Sequence, residues 1–99
     1  MLLHTVFFWS NSDLSADDRA AFRAGLETLQ KVPTATAVYI GVPAQTPARA
    51  VTEKSFTFAL TILFKDTPAH DAYQIHPIHE AFVKNCQKYW NRVQVYDSE

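Results

Sequence analysis

The first strand of the chain is apolar on both of its faces, which restricts the folds that the chain can adopt. The run from Leu2 to Trp9 is dense in β-branched and aromatic residues and ends at Ser10, so its length fits a buried strand better than a helix. Side chains alternate along a strand. One face therefore presents His4, Val6 and Phe8, and the other presents Leu3, Thr5, Phe7 and Trp9. Each face needs a layer that covers it.

The rest of the pattern adds three strands and two helical regions. Ser15 and Asp18 have the spacing of a capping box, and apolar residues then recur at helical spacing, so a helix is predicted over about residues 16–31. The other predicted elements are strands over residues 37–42, 56–64 and 92–96, a loop over 43–54, and a helical region that starts at Thr67, breaks before Pro77 and ends near Trp90. The order β-α-β-β-α-β predicts an α+β protein with the ferredoxin-like fold, a four-stranded antiparallel sheet with its helices on one side.

Composition and charge narrow the class of protein. Of the 99 residues, 47% are hydrophobic and only 2 are glycine, which is typical of one folded domain, here predicted to span residues 1–99. The formal net charge is -1 with acids and bases interspersed, so neither nucleic acid nor a membrane is a predicted partner. The single cysteine, Cys86, has no partner for an internal disulfide, and Leu2–Trp9 is too short for a membrane span or a normal signal core. We predict a cytoplasmic location.

A ferredoxin-like monomer would leave one face of its sheet bare. That face would carry Leu3, Phe7 and Trp9 from the first strand and Leu63 from the third. Soluble monomers rarely expose an apolar patch of this breadth. We therefore predict a homodimer in which two sheets pack face to face and form an α/β barrel.

The segment from Tyr73 to Phe82 holds two of the four histidines, placed on either side of a proline. Pro77 has no N–H and pushes His76 toward an extended backbone, so a helix break and a new helix starting at Pro77 are predicted. His79 then lies in the first turn of the new helix. The partial positive charge there disfavours the imidazolium form, and a neutral imidazole near pH 7 is suited to act as a general base.

The chain resembles the Dabb family, the stress-responsive dimeric α/β-barrel domains. The resemblance covers nearly the whole chain, and its most specific part is the Tyr73-x-x-His76-Pro77-x-His79-x-x-Phe82 segment. The other residues that carry it are His4, Phe22, Pro33, Val38, Tyr39, Gly41, Trp90 and Asp97. It implies a ferredoxin-like homodimer that binds a small apolar or polyketide-like molecule between its sheet and helices.

The resemblance also implies a chemistry. In polyketide cyclases of the family, the residues that correspond to Tyr73 and His79 transfer protons during an intramolecular aldol closure, and the one that corresponds to Asp97 orients the histidine. Val93, Val95 and Asp97 alternate onto one face of the last strand, so we expect a hydrogen bond between Asp97 and His79. Such cyclase or lyase-type chemistry requires neither a metal nor an organic cofactor. The implied ligand-binding residues are His4, Val6, Phe8, Phe22, Leu60, Ile62, Phe82 and Trp90.

Other interpretations of the same residues stay open. His79 and Tyr73 also fit purely structural roles, in which the chain is a non-enzymatic, stress-related binding or interaction dimer. The wider group of dimeric ferredoxin-like barrels also includes haem-degrading and quinone-forming monooxygenases. His4 is assigned to the pocket wall, and His76 to closing the helix break. Substitutions relative to the cyclases, at Ala21, Gly25 and Val83, imply a cavity of different shape and prevent transfer of the substrate.

Metal binding is the alternative role for the histidines. His70, His76 and His79 do not have the spacing of the two-histidine helical motif of zinc proteases, in which the histidines lie four apart with a glutamate beside the first. Cys86 adds no second thiolate. The sequence therefore predicts no metal and no cofactor.

Overall fold

The chain folds into one sheet covered on one side by helices. The computed structural model describes residues 1–99. Its strands are β1 (Leu2–Trp9), β2 (Ala35–Gly41), β3 (Phe58–Phe64) and β4 (Arg92–Ser98), and its helices are α1 (Ala16–Thr28), α2 (Thr67–Gln74) and α3 (Pro77–Cys86). Neighbouring strands are antiparallel and follow the order β2-β3-β1-β4. This is the ferredoxin-like arrangement, so the predicted fold class is confirmed. None of the helices has the length and hydropathy that crossing a membrane requires.

Local hydrogen bonds set where the helices begin and end. Ser15 Oγ accepts from the Asp18 N–H at 3.0 Å, so the predicted cap of α1 is present. Helix α2 begins at Thr67, as predicted, and its cap is Asp66, whose carboxylate accepts from the Ala69 N–H at 2.9 Å. Helices α1 and α3 end earlier than predicted, because the chain tightens into single 3-10 turns at residues 29–31 and 87–89.

Every second residue of β1 is buried beneath the helices. Leu2, Val6 and Phe8 belong to a core of 15 buried apolar side chains. His4 lies on the same face, and it is the one buried polar residue of the chain. The helices contribute Phe22 and Leu26 from α1, Tyr73 from α2, and Phe82 and Cys86 from α3. The face of β1 with His4, Val6 and Phe8 was predicted to be covered by the helices, and it is.

The opposite face of the sheet is largely open. Leu3, Tyr39 and Tyr96 are 41%, 70% and 61% exposed, and all three lie on this face, since Tyr39 and Tyr96 are in register with residues 61 and 5 of the central strands. Leu3 belongs to the apolar patch that the sequence indicated, and Tyr39 and Tyr96 extend this patch.

Phe56 departs from the predicted strand. The alternation places Phe56 on the face of Phe58, within the core. In the structure β3 begins only at Phe58, and Phe56 packs against Phe7 on the open face with ring centroids 5.0 Å apart. Side chains alternate between the two faces only where the backbone is paired in the sheet. Phe56 precedes the first paired residue of β3, so the alternation does not determine its direction.

Helices α1 and α3 approach each other closely at Gly25. A Cβ on Gly25 would overlap the Sγ of Cys86 and would also touch the Phe82 ring. Cys86 is buried and its side chain is short, so the sulfur has little freedom to move aside. Glycine is therefore required here by the packing of the two helices, and Gly25 does not line the cavity described below.

Replacing Gly25 with alanine should destabilise the fold by about 1–3 kcal/mol, because the added methyl group overpacks the contact between the helices. The free energy of unfolding in urea measures this cost. In a Cys86→Ala background the same substitution should cost much less, because the clashing sulfur is gone. An equal cost in both backgrounds would show that the helix contact is not its origin.

Candidate functional site

A cavity of about 180 Å³ lies between the sheet and helices α2 and α3. It reaches the surface beside β4, where Val93 and Val95 are partly exposed. Its walls are His4, Val6, Phe8, Leu60, Tyr73, Gln74, His79, Phe82, Val83, Trp90, Val93 and Val95. Six of the eight residues predicted to bind ligand are among them, together with His79 and Tyr73 of the three predicted catalytic residues.

Phe22 and Ile62 do not line the cavity, although both were predicted to do so. Both side chains have no exposed surface. The Phe22 ring packs against Phe8 and Phe58 at centroid distances of 5.4 and 5.1 Å, and Ile62 lies under the helices in register with His4. Both side chains lie inside the core and offer no surface to a ligand. The sequence pattern identified the buried face of the sheet, but it could not show which part of that face is left unfilled.

Two valines of β4 are wall residues that the sequence reading did not assign. Val93 stands opposite Phe8 and Val95 opposite Val6, so both continue the cavity face of β1 into the edge strand. The alternation along β4 already placed them on the face of Asp97. Val83 also lines the cavity.

His79 is held in one tautomer by the main chain. Its Nδ1 lies 3.1 Å from the Gln74 carbonyl oxygen, which only accepts hydrogen bonds, so Nδ1 carries the proton and Nε2 keeps its lone pair. In an unbroken helix that carbonyl would accept from the Ile78 N–H. Because the helix breaks at Pro77, the Ile78 N–H instead donates to His76 Nδ1 at 3.1 Å. The break thus frees the carbonyl that orients His79, and His76 caps α3.

Burial keeps His79 neutral. Loss of solvent lowers the pKa of His79 below its ordinary value of 6.5, and the nearby His4 and His70 act in the same direction. The Gln74 carbonyl and Glu80 oppose this shift but do not reverse it. The ring therefore has the protonation state of a general base at neutral pH.

The Tyr73 ring packs against both histidines of the cavity. Its ring centroid is 4.6 Å from that of His79 and 5.8 Å from that of His4. The side chain is almost fully buried, and burial raises the pKa of the Tyr73 hydroxyl above its ordinary range. The phenol therefore stays protonated and can donate a hydrogen bond to a ligand oxygen.

Asp97 pairs with His4, and the predicted bond between Asp97 and His79 is wrong. The Oδ1 atom of Asp97 accepts from His4 Nδ1 at 2.5 Å. The face of β4 was predicted correctly, but the register places Asp97 directly opposite His4 on the neighbouring strand, where side chains are in contact distance. Burial lowers the pKa of His4 despite the opposing effect of Asp97, so His4 is a neutral donor to the carboxylate. His4 is therefore part of a polar pair as well as of the wall.

The fold and its cavity define a class of protein: a ferredoxin-like α+β domain with an apolar cavity between sheet and helices that contains two histidines and a buried tyrosine. Residues 2–99 match the Stress responsive A/B Barrel Domain family, Dabb. The chain belongs to this family, and the resemblance found in the sequence is confirmed. No curated protein is significantly similar to the chain in sequence.

Solved structures share the fold at low sequence identity. A dimeric ferredoxin-like protein of unknown function from Thermobifida fusca has a TM-score of 0.79 at 18% identity, with 98% of this chain and 88% of that chain covered. The hydroxynitrile lyase from Passiflora edulis has a TM-score of 0.80 at 21% identity, with 98% and 90% covered. An antibiotic biosynthesis monooxygenase has a TM-score of 0.73 at 14% identity, with 100% and 97% covered. These similarities establish the fold and not the chemistry.

The lowered pKa of His79 should make folding stability depend on pH. Below about pH 6.5 the unfolded chain binds the proton more readily than the folded chain, so the free energy of unfolding should fall as the pH decreases from about 7.5 to about 5. His79→Gln should reduce this dependence, while the contribution of His4, which has the same sign, remains. Urea unfolding at several pH values measures both. An unchanged pH dependence in His79→Gln would contradict the assigned direction.

Proposed function

We propose that the chain is a homodimeric enzyme that carries out cofactor-independent proton transfer, of the cyclase or lyase type, on a small carbonyl compound bound in the cavity. One observation carries the proposal. His79 is neutral, has a fixed tautomer and lies beside a buried, protonated phenol in the wall of the same cavity. A base and a hydrogen-bond donor at this separation are the two groups that such a reaction needs.

In the proposed step, His79 Nε2 takes a proton from the substrate, either from a carbon beside a carbonyl or from a hydroxyl. The Tyr73 hydroxyl donates a hydrogen bond to the oxygen on which negative charge is present during the reaction. In a cyclisation the resulting carbanion attacks a second carbonyl carbon of the same molecule, a carbon–carbon bond forms as the C=O π bond opens, and the new alkoxide takes the proton back from the imidazolium. In a lyase reaction a carbon–carbon bond breaks, and the departing group takes the proton back from the imidazolium. Asp97 acts through His4, whose ring it orients at the end of the cavity.

The size of the cavity limits the ligand. About 180 Å³ is below the usual range of small-molecule pockets and holds on the order of ten non-hydrogen atoms. A haem is larger than this volume, so most of it would have to lie outside the enclosed part of the cavity. A polyketide chain would place its reacting end inside and extend past Val93 and Val95 toward solvent. The apolar walls favour an aromatic or alkyl group over a charged one.

Removing the base or the donor should lower turnover strongly without unfolding the protein. We expect His79→Ala to lower kcat by about 10²–10⁴ and Tyr73→Phe by about 10²–10³, because each loses one group that acts in the transition state. Asp97→Asn should have a smaller effect, since it acts through His4. Product formation from an aromatic cyanohydrin and from a poly-β-keto thioester measures these losses.

His76→Asn is the matched control for these variants. Asparagine also caps helices, and His76 does not line the cavity, so turnover should persist. If the wild-type protein binds small apolar ligands but turns over neither substrate class, the enzymatic proposal is wrong and the non-enzymatic binding dimer takes its place. A Soret shift on haem titration would instead favour the monooxygenase alternative.

The proposed dimer joins two copies through the open face of the sheet. Leu3, Phe7, Trp9 and Leu63 lie on this face, and the Tyr39 and Tyr96 side chains are well exposed there. The Thermobifida fusca protein that shares the fold is dimeric, which supports a dimer here. Covering this patch would remove a large apolar area from water, which is the driving force for such pairing.

Phe7→Glu should convert the dimer to a monomer, because it buries a charge in the proposed interface. Sedimentation at micromolar concentration measures the state of assembly. Ala20→Glu adds the same charge on the exposed side of α1 and should leave the dimer intact. A wild-type chain that sediments as a monomer would refute the proposed assembly.

A further inference from the structure

Three potential metal ligands from distant parts of the chain meet beside the cavity. His4 in β1, His70 in α2 and Asp97 in β4 each offer one ligand atom, and these atoms all lie within 4.8 Å of one another. Asp97 is the shared member, since its Oδ1 is 2.5 Å from His4 Nδ1 and its Oδ2 is 4.0 Å from His70 Nε2. We infer that these three side chains form a binding site for a divalent transition metal, with Zn²⁺ as the best match.

The chemistry of the donors selects the class of metal. Two imidazoles and one carboxylate suit Zn²⁺ and its first-row neighbours, whereas Mg²⁺ and Ca²⁺ prefer a shell made of oxygen atoms. Three protein ligands leave one position of a tetrahedral zinc open for water, as in catalytic zinc sites. The Asp97 side chain is 43% exposed, so the site is accessible from solvent.

The distances require only small movements. Zinc bonds to nitrogen and oxygen are about 2.0–2.2 Å, which places tetrahedral ligand atoms about 3.3 Å apart. His4 Nδ1 and Asp97 Oδ1 must therefore move slightly apart, and His70 Nε2 must move slightly closer to Asp97. Rotation of the partly exposed Asp97 side chain can supply the changes at the carboxylate, and the two imidazole nitrogens, which lie within 4.8 Å of each other, must also reach the metal by small side-chain adjustments.

A second carboxylate already orients His70 for such a role. His70 Nδ1 lies 3.1 Å from Asp71 Oδ1. When this carboxylate accepts a hydrogen bond, the proton resides on Nδ1, and Nε2 has its lone pair on the side of Asp97. A carboxylate that holds the distal nitrogen of a histidine ligand is a common feature of zinc sites. Asp71 is thus the expected positioning residue.

Metal binding and the hydrogen bond between His4 and Asp97 exclude each other. The proton on His4 Nδ1 must leave to solvent before that nitrogen can bind a metal. The sequence prediction of no metal considered His70, His76 and His79, but the structure separates them: His76 caps α3, and His79 donates to Gln74. Of these three histidines, only His70 joins the proposed site. Its two partners, His4 and Asp97, come from the first and last strands, so no short sequence motif reveals the ligand set. The inference does not depend on the proposed enzymatic function.

Calorimetric titration of the chelator-treated protein with Zn²⁺ tests the site. We expect one zinc per chain, and at least a tenfold loss of affinity in His70→Ala. Asp71→Ala should lose affinity about 10–100-fold, as is usual for partners of metal-bound histidines. Titration with Co²⁺ should give the visible absorption of a low-symmetry, nitrogen- and oxygen-ligated site, and Mg²⁺ should not compete.

His79→Ala is the matched control, because it removes a histidine of the same cavity that lies outside the three ligands. Its zinc affinity should equal that of the wild type. Asp97→Asn provides a second variant at the site if His70→Ala proves unstable, and thermal melting of each variant reports whether it is folded. Equal zinc binding in wild type, His70→Ala and Asp97→Asn, or a stoichiometry far below one, would overturn the inference.

Discussion

The register of β1 with its two neighbours is the constraint on which the rest of the structure depends. β1 lies between β3 and β4, and antiparallel pairing on both sides fixes which of its residues face the helices. A shift by one residue would exchange His4, Val6 and Phe8 with the side chains of the open face. The core, the cavity and the polar pair would then be lost together. The buried face and the open face are therefore two results of a single alignment.

The cavity combines an apolar wall with polar groups that are already satisfied on one side. His79 donates to a main-chain carbonyl, and His4 donates to Asp97, so each ring has a defined tautomer before any ligand binds. Hydrogen bonds of this kind reduce the cost of placing imidazoles in a partly buried site. They also leave the second nitrogen of each ring without a proton. A fixed tautomer and an unprotonated nitrogen are what proton transfer requires. The helix break supplies them for His79, and the pairing of β1 with β4 supplies them for His4.

The sequence predicted the fold and most of the cavity because both follow from periodic patterns. Alternation in β1 and β3 identified the buried face, and Pro77 identified the helix break. Pairings between distant residues were less accessible. Asp97 was assigned to the correct face but to the wrong histidine, since only the register brings His4 opposite it. Phe22 and Ile62 were predicted to line the cavity but are fully buried. Burial predicted from a pattern does not reveal where the core leaves a space.

The orientation of His79 by the Gln74 carbonyl has a consequence for how such a scaffold diversifies. A main-chain oxygen is present whatever side chain occupies position 74, so no single substitution there removes the acceptor. Among the wall residues, Val93 and Val95 are partly exposed and lie outside the core, so substitutions there can change the cavity without disturbing the core packing. In the proposed enzyme, substitutions that reshape the cavity wall would therefore leave the tautomer of the base unchanged, and the helix break at Pro77 is the feature on which that tautomer depends.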